Sequence, residues 1–110
     1  MEYKRKEIPA KAIKIYVEVS GKEVGRAYLY LIHNGLHKEP YGYLEDVYVD
    51  ESMRGAGIGT ELLRRIFEEA KKNKCYKLVG TSRYSRLEVH EWYKRLGFKE
   101  HGIEFRMNFE

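Results

Sequence analysis

Cysteine is nearly missing from this sequence, glutamine is missing altogether, and no apolar run is long. The single cysteine, Cys75, rules out an intrachain disulfide framework and any cysteine-based metal set. The four histidines, His33, His37, His90 and His101, have no ligand spacing with a carboxylate or cysteine partner, so no metal is expected. No stretch has the length and apolarity of a membrane span, so no membrane partner is expected. Residues 1–7 are charged and hold no hydrophobic stretch, so they do not read as a secretory leader, and a cytoplasmic protein is expected. The net charge is +4, yet no block of five or more basic residues occurs, so nucleic acid is not expected as a partner. The lack of glutamine beside abundant lysine and glutamate is a bias that recurs in proteins from hot environments.

What is present suits one small domain over residues 1–110. Hydrophobic residues make up 43% of the chain, enough for a modest core, and so small a core gains from burial against a second copy. From 12 to 19 the apolar residues alternate, with Ile13, Ile15, Val17 and Val19 on one parity, as in a half-buried strand. A turn at 20–23 leads to a second strand over 24–32, making a hairpin, and 33–40 reads as a loop. A third strand over 43–49 places Tyr43, Glu45, Val47 and Val49 on one face and Leu44, Asp46 and Tyr48 on the other. After a glycine-rich turn, Ile58, Leu62, Ile66 and Ala70 repeat at helical spacing, joined by Leu63 and Phe67. A fourth strand is predicted over 76–81 and a second helix over 87–96, with Val89, Trp92, Tyr93 and Leu96 along one side and Gly97 as its cap. The segment 98–109 reads as two short strands broken near His101 and Gly102. The fold class is therefore α+β, a mixed and mostly antiparallel sheet with a β-α-β core and flanking helices. The crossover through the first helix makes the third and fourth strands parallel.

The turn Arg54-Gly55-Ala56-Gly57-Ile58-Gly59-Thr60 lies between a strand and a helix N-terminus, and such a junction binds anions. The first amides of a helix lack internal partners, and the macrodipole adds about half a positive charge there. Arg54 adds a formal charge and a fork of donors. Two nucleotide readings fail on detail. A phosphate loop needs a lysine that is not here. The dinucleotide fingerprint needs a third glycine where Thr60 stands, and an acidic residue where the chain has Leu78, Val79 and Gly80.

The run from Arg54 to Gly59 resembles the Q/R-x-x-G-x-G/A signature of the GNAT superfamily of acyl-CoA-dependent N-acyltransferases. Farther on, His90-Glu91-Trp92-Tyr93-Lys94-Arg95-Leu96-Gly97-Phe98 resembles that family's second hallmark, an aromatic pair followed after three residues by Gly-Phe. The resemblance implies transfer of an acetyl group from acetyl-CoA to the amine of a small molecule or protein. It implies cofactor contacts along residues 54–60, and at Val47 and Val49 through their main chains, with an amide near Val47 as oxyanion donor. It implies Tyr93 as general acid to the leaving thiolate.

Glu45 is the first candidate for the base, or for an anchor of the cationic amine, with Asp46, His90 or a water chain as alternatives. Arg83 and Arg86 stand where the family often has an asparagine, and are candidates for pairing with a cofactor phosphate. Family members usually carry helices before the hairpin that wall the acceptor site, and about eleven residues precede it here. A homodimer that completes that wall, through the alternating Ile103, Phe105, Met107 and Phe109, is the expected assembly. A second reading is a non-catalytic acyl-CoA-binding sensor or interaction module.

Overall fold

The computed structural model describes residues 1–110, in two compact units, Met1–Gly80 and Thr81–Glu110. The first unit holds β1 (Lys11–Val19), β2 (Lys22–Ile32), β3 (Tyr41–Val49), a 3-10 turn (Glu51–Met53), α1 (Ile58–Lys72) and β4 (Leu78–Gly80). The sheet order is β1-β2-β3-β4. The first two pairings are antiparallel and the β3–β4 pairing is parallel, as the crossover through α1 requires.

Each element follows from its own residues. Ser20 and Gly21 alone make the first hairpin turn, both at positive φ, the geometry that matches strand twist, so β2 starts at Lys22, two residues earlier than predicted. On β2, Ala27, Leu29 and Leu31 are buried, and α1 packs against this strand with Leu62, Leu63, Ile66 and Ala70. Leu29, Leu63 and Ile66 are the largest side chains with no exposed surface, each contributing on the order of 2 kcal/mol by burial. Gly25 lets the helix approach closely: a Cβ there would lie 3.1 Å from the Ile58 side chain and 3.3 Å from that of Leu62. Helix α1 carries Glu61 in its first turn and Lys71 and Lys72 in its last, the arrangement its dipole favours. It ends when Lys74 turns to φ +59° and the Cys75 amide reaches back to the Ala70 carbonyl at 2.9 Å.

The second unit holds α2 (Leu87–Arg95). Its end is a Schellman motif: Gly97 sits at φ +109° and the Phe98 amide bonds the Tyr93 carbonyl at 3.0 Å. The hydrophobic contact that accompanies this motif is Phe98 on Tyr93, with ring centroids 5.0 Å apart.

Three expectations are corrected. The two strands predicted over 98–109 are not formed. Ile103, Phe105, Met107 and Phe109 alternate as predicted but are all exposed, because alternation sets the polarity of two faces and supplies no partner for the backbone groups. β4 spans three residues rather than six. The alternation predicted along β3 breaks at Asp46, with consequences for the site.

Candidate active site

A β-bulge divides β3. Tyr28 pairs with Glu45 and Arg26 with Tyr48, so one residue of β2 faces two of β3, Asp46 and Val47. Asp46 takes φ +50°, a left-handed conformation that is uncommon outside glycine but several-fold enriched in Asp and Asn. The extra residue reverses the parity of all that follows. Glu45 shares the Tyr28 face, whereas Val49 pairs with Gly25 on the face that meets α1, and Val47 goes with it. Glu45 therefore does not share a face with Val47 and Val49, and Asp46 does not point away from Glu45. The two carboxylates line one cavity.

Asp46 is held by Arg26, whose Nε donates to Oδ2 at 2.7 Å and Nη2 to Oδ1 at 3.3 Å. The same guanidinium lies 4.7 Å from the Tyr48 ring centroid and 3.6 Å from Glu23. A left-handed residue inside a strand costs roughly 1–3 kcal/mol unless its surroundings over-determine it, and this ion pair is one such support. Sequence reasoning missed Arg26. The signal was its parity, since Arg26, Tyr28 and Tyr30 alternate with the buried Ala27 and Leu29.

β4 pairs only with Gly42, Tyr43 and Leu44 of β3. From Glu45 to Val49 the strand pairs with β2 and with no second strand, so its other edge offers main-chain groups to a ligand, the Val49 carbonyl excepted. The open stretch runs into the glycine turn. Arg54 Nε donates to the Val49 carbonyl at 3.0 Å, which fixes the guanidinium beside the strand end, and no carboxylate pairs with it. Gly55 and Gly57 adopt φ +87° and +80°, which side-chain-bearing residues rarely reach. A Cβ at either would meet nothing within 4 Å, so backbone conformation, not packing, demands glycine here, and the space above the turn is open. Gly57 is the N-cap of α1, and the first α-helical bond runs from the Glu61 amide to its carbonyl at 3.1 Å. The amides of Ile58 and Gly59 thus lie ahead of any acceptor inside the helix. The one carboxylate in this first turn, Glu61, is neutralised by Arg64: that hydrogen bond holds it down at about 2, so its charge is matched before an anion arrives.

Tyr93 lies on α2, half-buried, with Trp92 5.6 Å and Phe98 5.0 Å from its ring. His90 Nε2 donates to the Arg83 carbonyl at 2.8 Å, so Nδ1 is the nitrogen left to accept a proton. Arg86 is paired with Glu88 at 3.1 Å. Cys75 is a poor nucleophile, because burial pushes its thiol up.

A sheet with a β-α-β crossover, a half-unpaired strand and a glycine turn at a helix N-terminus makes a core suited to a ligand with an anionic group and an arm that pairs with main chain. Residues 1–98 match the model of the acetyltransferase (GNAT) family, and the chain belongs to that family. It is 31% identical over 104 residues to an aminoglycoside N(6')-acetyltransferase of Stenotrophomonas maltophilia, covering 90% of this chain and 68% of that protein. It is 37% identical over 67 residues to a glucosamine 6-phosphate N-acetyltransferase of Trypanosoma brucei brucei, covering 61% of this chain and 44% of that protein. The chain thus spans less than half the length of that relative. Among solved structures, an acetyltransferase from Trypanosoma brucei superposes with a TM-score of 0.79 at 29% identity, covering 89% of this chain and 69% of the other.

Proposed function

We propose that this chain, as one domain over residues 1–110, transfers the acetyl group of acetyl-CoA to a primary amine. One observation carries the reading: the open stretch of β3 continues into a turn whose two left-handed glycines and strand-anchored arginine face open space at a helix N-terminus. Such a junction suits a pyrophosphate lying against a main-chain-bound arm. Arg54, Gly55, Ala56, Gly57, Ile58, Gly59 and Thr60 take the pyrophosphate, and Val47 and Val49 offer main-chain groups to the pantetheine arm. In the transfer step, the substrate ammonium first gives one proton to a base, and the neutral nitrogen then bonds to the thioester carbon and gives up a second proton to water or the departing sulfur. The carbon–sulfur bond breaks, and the thiolate leaves with a hydrogen bond or proton from a donor. Glu45 takes the first proton and a main-chain amide near Val47 meets the oxyanion, while the family resemblance assigns the donor to the sulfur to Tyr93. The overall test is thiol release from acetyl-CoA with a panel of amines. Binding of CoA without turnover on any amine would favour a non-catalytic sensor.

The turn has its own test. Valine at position 57 would distort the left-handed cap as well as fill space, so Gly57→Asn is the better probe, since asparagine tolerates that region. Calorimetry is expected to show a loss of CoA affinity of about tenfold or more, with the helical circular dichroism kept. Unchanged affinity in the folded variant discards the assigned turn.

The bulge has another. Arg26→Ala is expected to lower stability only slightly, as for a half-exposed pair, yet to raise the KM for acetyl-CoA about threefold to tenfold by loosening Asp46 and the main chain beyond it. Adding Asp46→Gly should restore that KM, since glycine takes φ +50° freely. A defect that persists in the double variant would show that Arg26 acts through its charge.

The exposed, alternating Ile103, Phe105, Met107 and Phe109 support a homodimer as the working unit. Sedimentation at micromolar concentration is expected to give a dimer that Phe105→Asp with Phe109→Asp dissociates. A monomeric parent would end this part of the proposal.

A further inference from the structure

The sheet face opposite α1 carries a groove of about 730 Å³ lined by Ala10, Tyr28, Tyr30, Ile32, Tyr43, Glu45 and Asp46. Register brings these residues together, since Tyr30 pairs with Tyr43 and Tyr28 with Glu45. The lining holds three phenol rings, two carboxylates and no basic side chain. The carboxylates are not equivalent. Asp46 is neutralised by Arg26 at 2.7 Å, whereas Glu45 has no cationic partner and accepts only the Asp46 amide, at 3.2 Å. The groove therefore offers one uncompensated negative charge, at its Tyr28 end. From there the floor runs ~13 Å along β2, over Tyr30 to Ile32. The chain's own cations show what these rings attract. The Lys14 ammonium lies 5.8 Å from the Tyr28 centroid and 5.0 Å from that of Tyr16.

We infer that this groove is the acceptor site, and that its occupant is a primary amine carrying a single ammonium on an apolar or aromatic body. This rests on the acetyltransferase reading above. The ammonium sits against Glu45 and the Tyr28 and Tyr43 rings, and the body lies along Tyr30 toward Ile32 and Ala10. Glu45 follows directly on Leu44, the last residue of β3 that pairs with β4, so the nitrogen is held where the strand edge opens for the cofactor. A sugar phosphate would need a cation, and the lining has none. A polyamine would need several unpaired carboxylates, and the groove has one.

The test compares phenethylamine, hexylamine, spermidine and glucosamine 6-phosphate by thiol release at saturating acetyl-CoA, and measures phenethylamine binding by calorimetry in the presence of CoA. The expected result is a kcat/KM for phenethylamine at least about tenfold above those for spermidine and glucosamine 6-phosphate. Phenethylamine affinity should fall about tenfold in Glu45→Gln and in Tyr43→Leu, which keeps apolar volume without the ring, and be retained in Tyr43→Phe. Preference for spermidine or glucosamine 6-phosphate, or phenethylamine binding indifferent to Glu45→Gln and Tyr43→Leu, overturns the assignment. The two readings fail differently. Phenethylamine binding that depends on Glu45, with no thiol release from any amine, refutes transfer and keeps the groove. Turnover of spermidine with no phenethylamine binding refutes the groove and keeps transfer. No phenethylamine binding and no turnover refutes both.

Discussion

Tyr93→Phe is expected to lower kcat by about a hundredfold to ten-thousandfold, the usual contribution of general acid catalysis, while CoA affinity changes less than about twofold. This substitution is informative because the tyrosine motif has a structural explanation of its own. Gly97 ends α2 in a left-handed turn, Phe98 bonds back to the Tyr93 carbonyl, and the Phe98 ring packs on that of Tyr93. An aromatic residue four positions before the glycine is what a Schellman motif with this hydrophobic contact wants, with or without chemistry. The ring serves the fold whatever the hydroxyl does, so removing the hydroxyl alone tests the proposed role in the reaction. A phenol of pKa about 10 facing a thiolate of about 8.5 gives a hydrogen bond, since full transfer would run uphill by about 1.5 pK units. The effect should therefore fall as the thioester's leaving group becomes more acidic. Steady-state kinetics with acetyl-CoA, and with an acyl donor of lower thiol pKa, measure both. Turnover at the parental rate would leave Tyr93 a packing residue.

Glu45→Gln is expected to lower the rate near pH 7 by about a hundredfold or more and to change the shape of its pH dependence. The sign follows from the substrate. An alkylamine with a pKa of about 10.4 arrives as ammonium, and without a proton acceptor only its neutral fraction reacts. That fraction rises tenfold per pH unit below the amine's pKa, so the variant's rate should climb with slope one and approach the parent at high pH. The alternatives are less free to act. Asp46 already accepts two hydrogen bonds from Arg26, and protonation there would cost that pair. His90 has one ring nitrogen committed to the Arg83 carbonyl. An unaltered pH profile in Glu45→Gln would move the proton to one of them or to a water chain.

Much of the turn proposed for the cofactor was legible before any fold was known, because it is written in short-range terms. Helix α1 announces itself by the four-residue spacing of Ile58, Leu62, Ile66 and Ala70, and all but the first are buried. Gly55 and Gly57 were marked by their place before that helix, and their positive φ is a property of the turn alone. Gly97 was marked as a cap for the same reason. Each of these features is set within about one turn of helix, where periodicity and capping chemistry act.

The groove proposed for the acceptor was decided by the tertiary structure, because it depends on how strands far apart in sequence align. Strict alternation placed Glu45 with Val47 and set Asp46 against it. The pairing of Arg26 with Tyr48 inserted a bulge and brought both carboxylates to one face. Where β4 stops pairing, and hence where β3 opens, is likewise a matter of register between Leu44 and Gly80. The tyrosines of the groove are scattered through the sequence and become a site only when β2 and β3 are zipped together. Residues 103–109 show the converse, since their alternation is in place yet they form no strand and stay exposed. The sequence by itself determined the turn and helix termini that suit an anion, because local sterics and unpaired amides act over a few residues. Register, and with it the faces on which Glu45, Asp46 and the tyrosines meet, was settled only by the pairing of whole strands, because each one-residue slip sends every later side chain to the opposite face.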